Sequence, residues 1–291
     1  PRMARRMKLP RVLGHEVSGI VDQVGEGVTN VALGDHVSLE SHIFCGTCRP
    51  CRLGNAHLCN NTTYPGIDID GAFADYITVP ALIAWKNPKD LPHETGAMLE
   101  PFGIGVHACL EGSGVSGQTV LINGCGPIGL MAVAVARALG ASRVIAADLN
   151  PLRLKTAEIM GADRAIKADD ENVADVVRDM TGGEGADVGI EFSGSEPGFQ
   201  AVFDSLCKGG DFRLVGAPPK AIPVDFTWWL LKCPRMVNIH GRRIWDTWQR
   251  STELVYSGAV DLKPIQSHIL PLSEAAEGFE LIRRGEAVKP L

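Results

Sequence analysis

The stretch 119–140 constrains the fold more than any other part of this chain. Thr119–Asn123 (TVLIN) is a short apolar run, GCGPIG follows at once, and LMAVAVARALG then carries small and apolar residues at helical spacing. Gly124, Gly126 and Gly129 fit G-x-G-x-x-G, with Pro127 and Ile128 between the last two glycines. Placed between a strand and a helix, this pattern is that of a dinucleotide-binding turn. Gly124 permits the tight turn, Gly126 has no side chain to block a pyrophosphate, and Gly129 lets the helix pack close to the sheet. The helix then offers free amides and a positive dipole end to the phosphates. A second strand, 143–147 (RVIAA), ends at Asp148, nineteen positions after Gly129. Asp148 can accept hydrogen bonds from both ribose hydroxyls and would repel a 2'-phosphate, which favours NAD over NADP. Arg153, five residues on, can grip the adenosine ribose or tolerate a phosphate. The competing reading is a glycine-rich turn with no ligand.

The alternation continues to about residue 241. Asn150-Pro151 has the form of a helix N-cap with proline at N1, opening PLRLKTAEIMG. AIKAD, the helix NVADVVRDMTGG, the strand ADVGIEFSG, the helix PGFQAVFDSLCKGG and the strands DFRLVGAPP and MVNIHG follow. Strands alternating with helices imply an α/β fold with a doubly wound parallel sheet, which binds ligands at the carboxyl ends of its strands. Phe192-Ser193-Gly194, Val215-Gly216-Ala217 and Ile239-His240 are therefore expected to line the cofactor cleft; ordinary turn chemistry is the alternative. The first hundred residues differ. The runs EVSGIVDQVG, DHVSLE and AFADYITVP predict an all-β unit with long loops.

One of those loops reads CGTCRPCRLGNAHLC. Cys45, Cys48, Cys51 and Cys59 have the spacing C-x2-C-x2-C-x7-C. The chain has 291 residues, 45% of them hydrophobic, and a formal net charge of -6, which argues against a nucleic-acid or anionic-membrane partner. Nothing in PRMARRMKLPRVLGHE has the apolar core of a signal peptide, so a cytoplasmic protein with reduced thiols is expected. Reduced thiols in short knuckles suit one tetrahedral Zn2+, and four cysteines leave no ligand position open, so the site reads as structural. A redox or incidental cluster is the alternative. Cys109, Cys125, Cys207 and Cys233 read as small core residues, and His36, His57, His93, His107 and His268 as structural.

Gly14-His15-Glu16, Gly34-Asp35-His36-Val37, the four-cysteine loop, Glu100-Pro101 and GCGPIG, in this order, resemble the zinc-dependent medium-chain alcohol dehydrogenases along essentially the whole chain. The resemblance implies a GroES-like β-domain over 1–102, a Rossmann domain over 103–241 and a return to the first domain over 242–291. His42-Ile43, CRLGNAHLCNNT, EPFGIGVHA, Pro218-Pro219 and HGRRIWDTW are most similar to the threonine dehydrogenases; the polyol dehydrogenases share the LEP segment and the Rossmann core. The resemblance also implies that His15, Glu16 and Glu100 serve a catalytic zinc and that His42 approaches the substrate pocket. It implies that Ile128, Asp148, Arg153, 215–217 and Ile239-His240 contact NAD, and that the chain forms a homotetramer. The implied reaction is zinc-assisted hydride transfer from L-threonine to NAD. A polyol or secondary-alcohol dehydrogenase, and a non-catalytic zinc-stabilised NAD-binding protein, are the rival readings. One departure stands out. The family's first catalytic-zinc ligand is a cysteine upstream of GHE, and no cysteine precedes His15 here. The expectation is a fragment that is inactive by itself.

Overall fold

The computed structural model describes residues 6–291. The reading of the amino-terminal residues falls partly on 1–5, which lie outside the described residues. The chain divides into two compact units. The first runs to Gly103 and adds Gly241–Thr252 and Pro271–Glu274; the second holds Ile104–His240, Glu253–Leu270 and Ala275–Leu291. Most of 242–291, expected to return to the first unit, thus belongs to the second. Only Gly241–Thr252 and Pro271–Glu274 return.

The first unit carries β1 (Ser18–Ile20), β2 (His36–Leu39), the short α1 (Arg49–Arg52), β3 (Ala84–Lys86) and the start of α2 (His93–Leu110). Its three strands form an antiparallel sheet in the order β1-β2-β3. Val37, Leu39 and Ile83 are its buried nucleus, with Val17, Val21, Val31 and Val79 packed around them. The run 72–80, expected as a strand, is irregular chain. Its leading amides are spent on a loop instead: Ala72 N donates to Gly14 O (2.9 Å) and Phe73 N to Leu13 O (2.8 Å). Glu100 and Pro101 lie inside α2.

The second unit is a six-stranded parallel sheet: β4 (Thr119–Asn123), β5 (Arg143–Asp148), β6 (Arg164–Lys167), β7 (Ala186–Glu191), β8 (Leu206–Leu214) and β9 (Arg235–Asn238). The order is β6-β5-β4-β7-β8-β9. β4, at the centre, is buried along its whole length, as a strand covered on both faces must be. The connecting helices are α3 (Pro127–Ala138), α4 (Pro151–Ile159), α5 (Val173–Met180), α6 (Glu196–Ser205) and α7 (Phe226–Lys232). Local chemistry starts each one. The Asn150 side chain accepts from the amides of Leu152 and Arg153, Asn172 from Asp175, and Ser195 from Gly198. Residues 206–210, grouped with the preceding helix in the sequence, open β8; Gly209 at φ +75° cannot continue a right-handed helix. The chain ends with α8 (Asp246–Tyr256), β10 (Gln266–His268), α9 (Ala275–Arg284) and β11 (Lys289–Pro290). Cys109 and Cys125 are buried as expected, but Cys207 is partly exposed and Cys233, at the left-handed end of α7, is exposed. Among the described residues, no helix is long and apolar enough to cross a membrane.

The order of the strands places the first and fourth side by side with their chains leaving in opposite directions around the sheet. The ends of β4 and β7 therefore form a crevice at the switch point, where a parallel sheet of this kind receives its ligand.

Candidate active site

The four cysteines of the loop converge. Cys48 Sγ lies 3.5 Å from Cys51 Sγ and 3.9 Å from Cys59 Sγ, and Cys59 Sγ lies 3.5 Å from Cys45 Sγ. Sulfurs bound tetrahedrally at Zn–S near 2.3 Å stand about 3.8 Å apart, so the cluster has the size of a zinc site. Its surroundings favour the thiolate at Cys45 and Cys48, whereas burial and the neighbouring Cys48 and Cys59 push the Cys51 thiol up. Cys48 N donates to Cys45 Sγ, and the amides of Cys45 and Asn61 donate to Cys59 Sγ. Hydrogen bonds from the Thr47 hydroxyl and from the backbone of Thr47 and Cys48 pull the Cys45 thiol down to about 5. This cluster is the only group of three or more potential ligands whose ligand atoms lie within 4.8 Å of one another among the described residues. His15, Glu16 and Glu100 are not gathered in that way.

His15 is half-buried and Glu16 exposed, directly after Gly14. Three glycines pin this segment. Gly14 has φ +94°, and a Cβ there would stand 2.6 Å from the Phe73 ring. A Cβ on Gly66 would stand 2.8 Å from Gly14 N, and one on Gly71 2.2 Å from Gly14 O. The backbone leading into His15 is thus held by close approach to two loops. The sequence signal was present in Gly66 and Gly71 but has no meaning until the loops are in register.

His42 and Glu100 are joined through a buried network that sequence reasoning missed. Glu40 and Arg242 are fully buried, and Arg242 Nε donates to Glu40 Oε2 (2.9 Å) while Nη2 donates to Glu40 Oε1. Arg242 Nη1 donates to Glu100 Oε1 (2.7 Å) and to the Glu100 carbonyl (3.0 Å). Glu40 also accepts from His42 N (2.9 Å), His42 Nδ1 (2.6 Å) and Trp248 Nε1 (2.6 Å). Burial alone would raise the Glu40 carboxyl; the charge of Arg242 and the hydrogen bonds from His42 and Arg242 outweigh it and hold it well below its usual range. An ionised carboxylate only accepts, so the proton of His42 lies on Nδ1. Gly103 makes room for the arginine: a Cβ there would stand 2.5 Å from Arg242 Cδ. The signals were faint. Glu40 closes the alternating stretch DHVSL, and Arg242 and Trp248 lie in HGRRIWDTW.

In the second unit the glycine-rich turn is built as a cradle. A Cβ on Gly124 would meet Ser193 N at 2.7 Å, and one on Gly129 would meet Gly124 O at 2.0 Å. A Cβ on Gly126 would meet nothing within 4 Å, so that position faces open space at the start of α3. Asp148 braces the turn: Oδ2 accepts from Cys125 N (2.6 Å) and Oδ1 from Asn150 N (2.8 Å), with Arg153 Nη1 4.0 Å away. Glu191, fully buried at the end of β7 and also missed in sequence, organises the neighbouring loops. It accepts from Ser193 N, Gly194 N and Asn123 Nδ2, and its carbonyl from Val215 N and Gly216 N. A Cβ on Gly216 would stand 2.3 Å from Gly194 N, and Ala217 lies against Gly194. Ile239 is buried and His240 exposed after β9.

Residues 127–257 match the family model described as zinc-binding dehydrogenase, and residues 2–89 the alcohol dehydrogenase GroES-like domain. The L-threonine 3-dehydrogenase of Bacillus velezensis is 44% identical over 98% of this chain and 82% of its own length. That of Caldanaerobacter subterraneus subsp. tengcongensis is 42% identical with the same coverage. Among solved structures, the alcohol dehydrogenase TADH from Thermus sp. ATN1 is similar with a TM-score of 0.91 at 32% identity, over 98% of this chain and 84% of that one. Fold and site define an oxidoreductase acting on CH–OH groups, with an NAD(P)-binding fold. The chain belongs to the zinc-binding alcohol dehydrogenase family, of the medium-chain dehydrogenases.

Proposed function

We propose that this protein oxidises the 3-hydroxyl of L-threonine to give 2-amino-3-oxobutanoate, with NAD+ as the hydride acceptor. The observation that carries the reading is 39–44% identity to relatives that are each named L-threonine 3-dehydrogenase, over 98% of this chain. His15, Glu16 and Glu100 would hold a catalytic zinc, and Cys45, Cys48, Cys51 and Cys59 a structural one. The imidazole and carboxylate donors of the first set have the chemistry of an open zinc site, and the four thiols that of a closed one. When bound, zinc lowers the pKa of an alcohol and NAD+ takes up hydride.

This chain's residues do the rest. The first turn of α3, with Gly124, Gly126, Pro127, Ile128 and Gly129, receives the pyrophosphate. Asp148 selects an unphosphorylated ribose, with Arg153 beside it. Residues 215–217 and Ile239-His240 close the nicotinamide end. Glu100 takes the hydroxyl proton or a metal bond. His42, with Nδ1 committed to Glu40, orients the substrate through the rest of its ring. The protein acts in the cytoplasm, where the thiols stay reduced. It acts as a homotetramer, a reading supported by the exposed apolar side chains of α7 beside the edge strand β9.

The test measures zinc content and NAD+ reduction on the full-length protein with L-threonine and with sorbitol. About two zinc ions per chain and turnover with threonine alone are expected. Turnover with sorbitol alone transfers the reading to polyols. NADH binding without turnover on either sinks the catalytic reading.

A further inference from the structure

We propose that Glu40 acts through Arg242 to keep the negative charge of Glu100 available for the reaction. The inference deepens the reading of Glu100 given above and rests on it. The geometry is a chain of three charges inside the first unit: Glu40, Arg242 and Glu100, each nine-tenths or more buried. The guanidinium spends two of its three nitrogens on the two oxygens of Glu40 and one on Glu100 Oε1. A fork that grips one carboxylate at both oxygens and touches the other at one is matched to the first. Glu40 is built to stay ionised, since His42 N, His42 Nδ1 and Trp248 Nε1 donate to it as well. One cation between two carboxylates leaves one negative charge over, and the geometry leaves it on Glu100.

That excess decides what Glu100 can do. A carboxylate already neutralised by a buried arginine is a poor ligand for a divalent cation. A carboxylate whose arginine is neutralised from the far side remains a good one. Arg242 then serves to orient Glu100, holding Oε1 and the main-chain carbonyl of the same residue, while Glu40 removes the electrostatic cost of having an arginine there. Glu40 touches neither substrate nor cofactor, so it is a positioning residue.

The charge argument makes a prediction that a packing role does not. Glu40→Gln leaves Arg242 to be matched by Glu100 alone. The double variant Glu40→Gln/Arg242→Met removes one charge of each sign and returns the excess to Glu100. Divalent-cation affinity is measured as uptake of Co2+ beyond the equivalent held by the four cysteines, by equilibrium dialysis on the full-length protein. The Michaelis constants and kcat for L-threonine and NAD+ are measured alongside. Expected is at least a tenfold weaker Co2+ uptake in Glu40→Gln, with kcat reduced and KM for NAD+ unchanged. The double variant is expected to recover most of the Co2+ affinity. A double variant weaker than the single one, or a folded Glu40→Gln with wild-type uptake, overturns the proposal. If Glu40→Gln does not fold, the double variant decides alone: folded with near wild-type uptake supports, folded with lost uptake or unfolded overturns. Glu100→Gln separates the two layers. If it leaves Co2+ uptake undiminished, the reading of Glu100 falls and this proposal with it. If it weakens uptake while Glu40→Gln does not, only this proposal falls.

Discussion

A glycine matters according to what its missing Cβ would touch, and the three glycines of GCGPIG differ on that count. At Gly126 the space is open and φ is -63°, ordinary for any residue. Gly126→Ala is therefore expected to leave stability within about 0.5 kcal/mol of wild type, as for a substitution that disturbs no contact. It places a methyl where a pyrophosphate would approach, so NADH affinity is expected to fall tenfold or more. At Gly129 the Cβ would sit 2.0 Å from a main-chain oxygen, which no rotamer change relieves. Gly129→Ala is expected to cost about 2 kcal/mol or more, because the turn and the helix must move apart. Urea unfolding and NADH fluorescence titration of both variants check the pair. Equal stability losses, or an unchanged NADH affinity in Gly126→Ala, would sink this division of roles. The glycines at 66 and 71 obey the same rule around Gly14, yet their presence in the sequence could not be read for it, because both lie more than fifty residues from His15 along the chain.

At the scale of elements, Asp211 ties β8, β9 and the loop before β4 into one corner. It accepts from Arg235 Nε (2.7 Å) and Nη2 (2.6 Å), from Ser113 N and Oγ, and from Arg213 Nη2 (3.1 Å). Burial alone would raise this carboxyl; the hydrogen bonds from Arg235, Ser113 and Arg213 outweigh it and hold it well below its usual range. A folded-state pKa that is depressed adds stability above the unfolded value, about 3.9, and loses it as pH falls toward the folded value. Asp211→Asn is expected to lose about 2 kcal/mol at pH 7, and the gap to wild type should narrow below about pH 4. Urea midpoints at pH 7 and pH 3 test this; a gap that does not change with pH would assign the loss to packing alone. The strands involved were legible in the sequence because apolar runs, helical periods and Asn or Ser caps agree from Thr119 onward. The first unit was legible only in part: β1 and β2 fall inside the runs EVSGIVDQVG and DHVSLE, but β3 lies outside the runs read as strands, because these strands are three or four residues long and most of the order comes from loops meeting side chains far apart in sequence. Glu40 shows why: an acid closing a short alternating stretch carries no pattern, and its partners Arg242 and Trp248 lie about two hundred residues on.

At the scale of the molecule, α7 reads FTWWLLK and shows its apolar side chains unevenly. Trp229 turns inward, 4.9 Å from Phe203 and 5.8 Å from Phe212 by ring centroids, and fastens the helix to the second unit's core. Phe226, Leu230 and Leu231 turn outward, at 78%, 76% and 60% exposure. The next element, β9, ends the six-stranded sheet and among the described residues pairs only with β8, leaving a row of main-chain donors and acceptors on its other side. An open strand edge beside exposed large apolar residues is a surface that a soluble chain ordinarily covers. A second copy suits it, since two such edges can pair with each other about a two-fold axis and cover both apolar faces at once. Leu230→Glu places a charge on that face without touching Trp229 or any group assigned to the reaction. It is expected to shift the protein to a smaller species by sedimentation velocity, with far-ultraviolet circular dichroism unchanged. Wild type and variant sedimenting alike as an oligomer would place the interface elsewhere, and a monomeric wild type would remove the homotetramer from the proposed function.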